Sequence, residues 1–347
     1  MSDDPRPTGP RSARSIARSV GLGVVAFSAT LILLFGFASL VSRSAGSPGA
    51  TLRTTATQPT AGATSQAIAS GAAGSGSAAA SPPGDPVLVG AGDIADCSLD
   101  SGAATAGLLD TIGGTVFTAG DNAYPNGSPT DFHDCYAPTW GRHLERTMPV
   151  AGNHDWLTRG LAGYRAYFGE KAGPADASWY SYDLGAWHVI VLDSDCAFVG
   201  GCLPGSPQGI WLDADLKATP AACTMAIWHH PRFSSGEHGN DASVWPFWDA
   251  LYRAKADVVV NGHDHDYDRF GLQDPAGRVD DAGGIREFVV GTGGAVLRDM
   301  PTVAAHSEIR IPSTFGVIRF VLHPTSYDWS FIATSGAVAD SGTGPCH

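Results

Sequence analysis

Apolar and polar positions divide the 347 residues into three unlike stretches. Residues 20–41 form an almost unbroken apolar run without charge. As a helix rising 1.5 Å per residue it would be ~33 Å long, enough to cross a bilayer's hydrocarbon core. Residues 42–86 are nearly all Ala, Gly, Ser, Thr and Pro. That composition buries too little apolar surface to offset ordering entropy and reads as a disordered linker. From residue 87 the pattern becomes that of a folded domain reaching to residue 347. Short uncharged apolar runs at 87–89, 115–118, 148–150, 225–228 and 258–260 predict strands buried on both faces, as in parallel sheets. Helix-like spacing falls between them at 99–112, 210–218 and 243–254. Runs at 178–183 and 187–193 flank the turn Leu184-Gly185-Ala186 and predict a hairpin. Runs at 285–290, 315–322 and 326–332 supply late strands. Alternating strand and helix imply an α/β domain with helices packed on a sheet.

Charge and cysteine usage bear on where that domain works. Residues 1–19 are polar and basic, with Arg6, Arg11, Arg14 and Arg18 ahead of the apolar run, which predicts a cytoplasmic tail and an N-in, C-out orientation. Residues 20–41 are longer than the core of a signal peptide, and the cleavage points after Ala38 or Ser44 are weak. They read as a retained signal anchor, with a cleaved signal as the alternative. The product is then a single-pass membrane protein with an extracellular domain, or a secreted one. Residues 1–53 hold six arginines against two aspartates, so the net charge of −13 leaves −17 on the remainder. An acidic domain is not expected to bind nucleic acid. All six cysteines follow the linker. Cys196 and Cys202 close a short Gly-rich loop, Cys97 with Cys135 would join two loops, and Cys223 would remain for Cys346. Free buried thiols are the alternative, and no C-x-x-C pair suggests a zinc-thiolate site.

Five segments at strand ends carry the candidate chemistry: Gly92-Asp93, Gly120-Asp121-Asn122-Ala123-Tyr124, Gly152-Asn153-His154-Asp155, His229-His230-Pro231 and Gly262-His263-Asp264-His265. One Gly-Asp after a strand is usually a turn. Five segments offering carboxylate, amide oxygen, phenol and imidazole would converge at the carboxyl ends of the strands. The mixed donors suit a dinuclear centre of Fe, Zn or Mn. His263 and His265 alternate, so the chain must bend sharply for both to reach one site.

These segments resemble those of the purple acid phosphatases within the calcineurin-like metallophosphoesterases. Many metallophosphoesterases begin with Asp-x-His, whereas here Ala95 stands two residues after Asp93. Asp121 to Tyr124 supplies instead the Asp-x-x-Tyr spacing of the purple enzymes. Gly92-Asp93-Ile94-Ala95 departs from their Gly-Asp-x-Gly but loses no ligand. The resemblance implies a four-layer α/β/β/α sandwich. It implies that Asp93, Tyr124 and His265 hold a first metal, Fe(III), and that Asp121 bridges. Asn153, His229 and His263 would hold a second metal: Fe(II), Zn or Mn. It places His154 and His238 at the phosphate and leaving group, with His230 and Asp155 behind the ligands or facing substrate. The expected activity is hydrolysis of small phosphomonoesters by a metal-activated hydroxide. A phosphodiesterase or nucleotide-cleaving enzyme on the same scaffold is the alternative, and an inactive surface binding module a more distant one. The oligomeric state is left open.

Overall fold

The computed structural model describes residues 84–347. The basic tail, the apolar run at 20–41 expected to be a helix, and nearly all of the linker lie outside the described residues. Among the described residues no helix is long and apolar enough to cross a membrane.

In chain order the strands are β1 (Val87–Ala91), β2 (Thr115–Thr118), β3 (Thr147–Met148), β4 (Tyr180–Leu184), β5 (Trp187–Val191), β6 (Cys223–Ile227), β7 (Val258–Asn261), β8 (Tyr267–Gln273), β9 (Ile285–Val290), β10 (Ser307–Ile311), β11 (Gly316–Leu322), β12 (Ser326–Ala333) and β13 (Val338–Pro345). They form two mixed sheets, one ordered β13-β12-β11-β1-β2-β3 and the other β10-β8-β9-β7-β6-β5-β4. In the first, β1, β2 and β3 are parallel and β11 to β13 add an antiparallel meander. In the second, β5, β6, β7 and β9 are parallel, with antiparallel β4 and β8 beside them.

The period-2 alternation of a strand decides what each face touches. Val189, Val191, Met225, Ile227, Val258, Val260, Phe288 and Val290 enter one core with Leu88, Val116, Val317 and Phe320 of the first sheet. Their neighbours Ile190, Ala226, Trp228, Val259 and Val289 point the other way, onto Leu212, Phe247, Trp248 and Leu251. Those four belong to the helices Pro207–Ala218 and Trp245–Arg253. The molecule is therefore a two-sheet α/β sandwich. The helix Ser101–Thr111 buries Ala106 and Leu109 against the first sheet's side of the core.

The expected hairpin is formed by β4 and β5, with Gly185 at φ 66° in its turn. Three strands had no counterpart in the sequence reading: β8, β10 and β13. β13 carries little β-forming sequence. Gly342 and Gly344 lie opposite Trp329 and Tyr327, and the aromatic rings cover the bare backbone. All six cysteines are paired, as Cys97–Cys135, Cys196–Cys202 and Cys223–Cys346.

Candidate metal centre

The five segments leave the carboxyl ends of β1, β2, β3, β6 and β7 and meet where the two sheets adjoin. Three of their non-glycine residues have left-handed backbone: Asp93 at φ 59°, Asp121 at 52° and His263 at 72°. Asp and His tolerate this region better than most residues, and here it turns each chain sharply off its strand. At His263 it supplies the bend that brings the first histidine of Gly262-His263-Asp264-His265 in beside the second. Gly120, at φ 87°, has no Cβ for a different reason: one would lie 2.4 Å from His229 Nδ1. A Cβ on Gly152 would lie 2.3 Å from Asp121 Oδ1.

The donor atoms converge. Tyr124 Oη lies 3.0 Å from Asp93 Oδ1, 3.0 Å from Asp121 Oδ2 and 3.2 Å from His265 Nε2. On the far side of Asp121, its Oδ2 is 3.3 Å from His229 Nε2. Asn153 Oδ1 is 3.1 Å from that same nitrogen and 3.0 Å from His263 Nδ1. Asp121 thus stands between two groups, Asp93–Tyr124–His265 and Asn153–His229–His263. In two of the three imidazoles the ring nitrogen that faces away is tied to the backbone. His229 Nδ1 donates to Ala119 O at 2.8 Å and His265 Nδ1 to Val296 O at 2.7 Å. Each tie leaves Nε2 as the lone-pair nitrogen, as metal-binding imidazoles require.

Electrostatics show that the pocket is short of positive charge. Burial works against ionisation of Asp121, yet His229 holds its carboxyl well below the usual range. Burial also opposes a charged His229, but Asp121 and then Asp93 push its pKa up to about 10. Burial and the charges of Asp121 and Asp93 drive the Tyr124 phenol far above its ordinary value. A phenol so placed can ionise only against a cation, and a cation there would replace the proton that His229 takes up. Asp93, Asp121 and His229 bring ligand atoms within 4.8 Å of one another while fully buried. The donors therefore fit bound metal. Another such cluster, Cys223, Asp257 and Cys346, offers no thiolate because its cysteines are bonded to each other.

Around the donors stand the other residues singled out by the sequence. His154 has its backbone N–H on Asp121 Oδ1 at 2.8 Å and its Nδ1 on Pro125 O at 2.6 Å. Its ring packs against Tyr124, centroids 4.5 Å apart. Asp155 is fully buried and accepts from Gly152 N, Asn122 N and Asn122 Nδ2, clamping two segments together away from the opening. His230 meets the Ser194 hydroxyl at 2.8 Å and lies 4.2 Å from the His263 ring. His238 also packs against the His263 ring, tilted to it with centroids 4.2 Å apart. Asp264 accepts from both the backbone and Nδ1 of His238 at 2.9 Å, and the Arg298 guanidinium donates to His238 Nε2 at 3.2 Å. Asp264 thus orients His238. Asp268 is held by Ser235 and Ser307. Arg298, Asn122 and Ser194 were not evident in the sequence. Only Asn122 sat inside a motif that could have flagged it.

A model of the calcineurin-like phosphoesterase family matches residues 80–267, more than half of the chain. The chain belongs to this family. Among its phosphoesterase relatives, purple acid phosphatase 13 of Arabidopsis thaliana is 30% identical over 173 residues, covering 42% of this chain and 31% of that protein. Purple acid phosphatase 1 of Ipomoea batatas is 28% identical over 179 residues, covering 45% of this chain and 37% of that protein. The match thus spans about a third of the length of each of these curated relatives. The structure of a purple acid phosphatase from yellow lupin (Lupinus luteus) seeds superposes with a TM-score of 0.59 at 19% identity. That superposition covers 74% of this chain and 53% of the lupin chain, and it shows a shared fold. Family and donor set together imply a dinuclear metal centre.

Proposed function

We propose that the chain is a dinuclear-metal phosphatase that hydrolyses phosphomonoesters outside the cytoplasm. The observation that carries this is the meeting of Tyr124 Oη with Asp93, Asp121 and His265, all buried. Asp93, Tyr124 and His265 would hold Fe(III). Asn153, His229 and His263 would hold Fe(II), Zn or Mn, with Asp121 between the two. Bound metals supply Lewis acidity toward phosphoryl oxygens and make water nucleophilic near neutral pH.

The remaining work falls to the chain's own side chains. Asp121 and Pro125 fix both the backbone and the ring of His154. With Nδ1 held by Pro125, Nε2 is the nitrogen left to face a phosphoryl oxygen, and it donates there only when the ring carries a second proton. His238, aligned by Asp264 and met at Nε2 by Arg298, packs against His263 and would contact the substrate from that side. Three disulfides suit an oxidising compartment, and the apolar run at 20–41 would anchor the chain or direct its export.

The test is made on the full purified chain after metal loading. We expect about two ions per chain, a visible phenolate-to-iron absorption band that disappears in Tyr124→Phe, and faster turnover of phosphomonoesters than of diesters. Less than one ion per chain with no ester hydrolysis would sink the reading.

A further inference from the structure

An aromatic pair that the metal chemistry leaves unused is joined to two residues of the site. Asn153 and Trp156 lie three residues apart on a single helical turn, Asn153–Trp156, so both project from one face. Asn153 meets His229 and His263, and Trp156 ends the same helical turn. Its indole N–H is fixed on Asp193 Oδ2 at 3.0 Å. Phe198 stacks on it, centroids 5.0 Å apart and planes 12° from parallel. Phe198 is nevertheless 61% exposed, as is Leu157 next to Trp156.

Phe198 is not carried on a loose loop. The Cys196–Cys202 disulfide closes its loop, which starts from Ser194, whose hydroxyl meets His230. Inside the loop Phe198 N bonds to Asp195 O and Gly201 N to Cys196 O, both at 2.9 Å. Val199 packs inward beside Ala177 and Trp179. Phe198, its neighbour in the chain, is left outward against Trp156. A single exposed apolar residue needs no explanation. Here an aromatic pair is held at both ends by residues that line the centre, Asn153 through Trp156 and His230 through the Phe198 loop. The entropy of ordering the ring is already spent in the free protein, which favours binding.

We infer that Trp156 and Phe198 form an aromatic lip that receives the flat apolar part of the leaving group. The chain is thereby suited to phosphomonoesters of aromatic alcohols or of nucleosides. This inference rests on the phosphatase reading above. It adds the substrate class, which metal ligands alone do not set.

Competitive inhibition of the metal-loaded full chain by phenylphosphonate and methylphosphonate reads the lip without turnover. We expect the phenyl compound to bind about tenfold more tightly, from ring burial and stacking. Phe198→Ala should reduce that preference to about threefold or less, and Phe198→Tyr should keep it. The exposed position of Phe198 makes both variants compatible with the fold. Parallel kcat/KM ratios for phenyl phosphate over glycerol 2-phosphate, and for 5′-AMP over ribose 5-phosphate, tell an aryl from a nucleoside leaving group. A phenyl preference unchanged in Phe198→Ala, or absent from the wild type, overturns the lip while leaving the phosphatase reading intact. Failure of both phosphonates to bind, with no ester hydrolysed, overturns that reading and the lip with it.

Discussion

At the scale of single residues, the centre depends on close approach as much as on ligand identity. Gly120 is the sharpest case, because a methyl group there would overlap His229 and sit on left-handed backbone. We expect Gly120→Ala to displace His229, cut bound metal to below one ion per chain and destabilise the fold by about 2 kcal/mol. Metal analysis and urea denaturation would measure both effects. His154 presents the opposite case, being fixed by Asp121 and Pro125 without belonging to the donor set. His154→Ala should retain its metals while kcat falls about 100-fold, a loss typical of a missing acid or oxyanion donor. If metal content fell in step with kcat, His154 would have a structural role instead.

At the scale of elements, His188 ties β5 to its neighbours. Its Nδ1 meets Asp183 on β4 at 2.9 Å and its Nε2 meets Asp215 on the helix Pro207–Ala218 at 2.8 Å. Burial opposes charge on this ring, but the two hydrogen-bonded carboxylates outweigh it and raise the pKa above 6.5. The folded state therefore holds the proton more tightly than the unfolded chain does. Its contribution is fully present below 6.5 and fades as pH rises through the raised value. We expect His188→Gln to cost about 2 kcal/mol at pH 5 and clearly less at pH 9, measured by urea unfolding. A cost that grew with pH would contradict this account.

The elements readable from sequence were those whose pattern follows from burial alone. β6 and β7 are buried on both faces, and their uncharged apolar runs announced them, while β5 was read as one arm of the hairpin around Gly185. β8 was hidden because Asp268 and Arg269 interrupt its apolar positions. Arg269 is neutralised by Asp340 of β13, from the other sheet, a pairing no local window contains. β13 was hidden because its glycines make sense only under Trp329 and Tyr327. The donor residues were legible for a related reason: each segment follows a strand end, and a glycine marks four of the five. Arg298 and Ser194 reach the site through loops with no periodic signal.

At the scale of the whole molecule, strands from both sheets deliver the donors, so metal and fold are thermodynamically linked. Removing metal should lower Tm while leaving the far-UV circular dichroism unchanged, because the hydrogen-bonded strands do not need the ions. Ligand linkage puts the stabilisation at about 4 kcal/mol when metal stands at 1,000 times its Kd. Restoring metal should restore Tm. Unaltered melting after chelation would show that the donors hold no ion.

The left-handed turns at Asp93, Asp121 and His263 also limit redesign of the centre. Replacing one of them with a longer or branched ligand changes more than coordination chemistry, because most side chains disfavour that backbone. An engineer seeking a different metal would find the freer positions at Asn153 and His265, whose backbones carry no such restriction. Retuning the centre would be easier from those two corners than from the carboxylates.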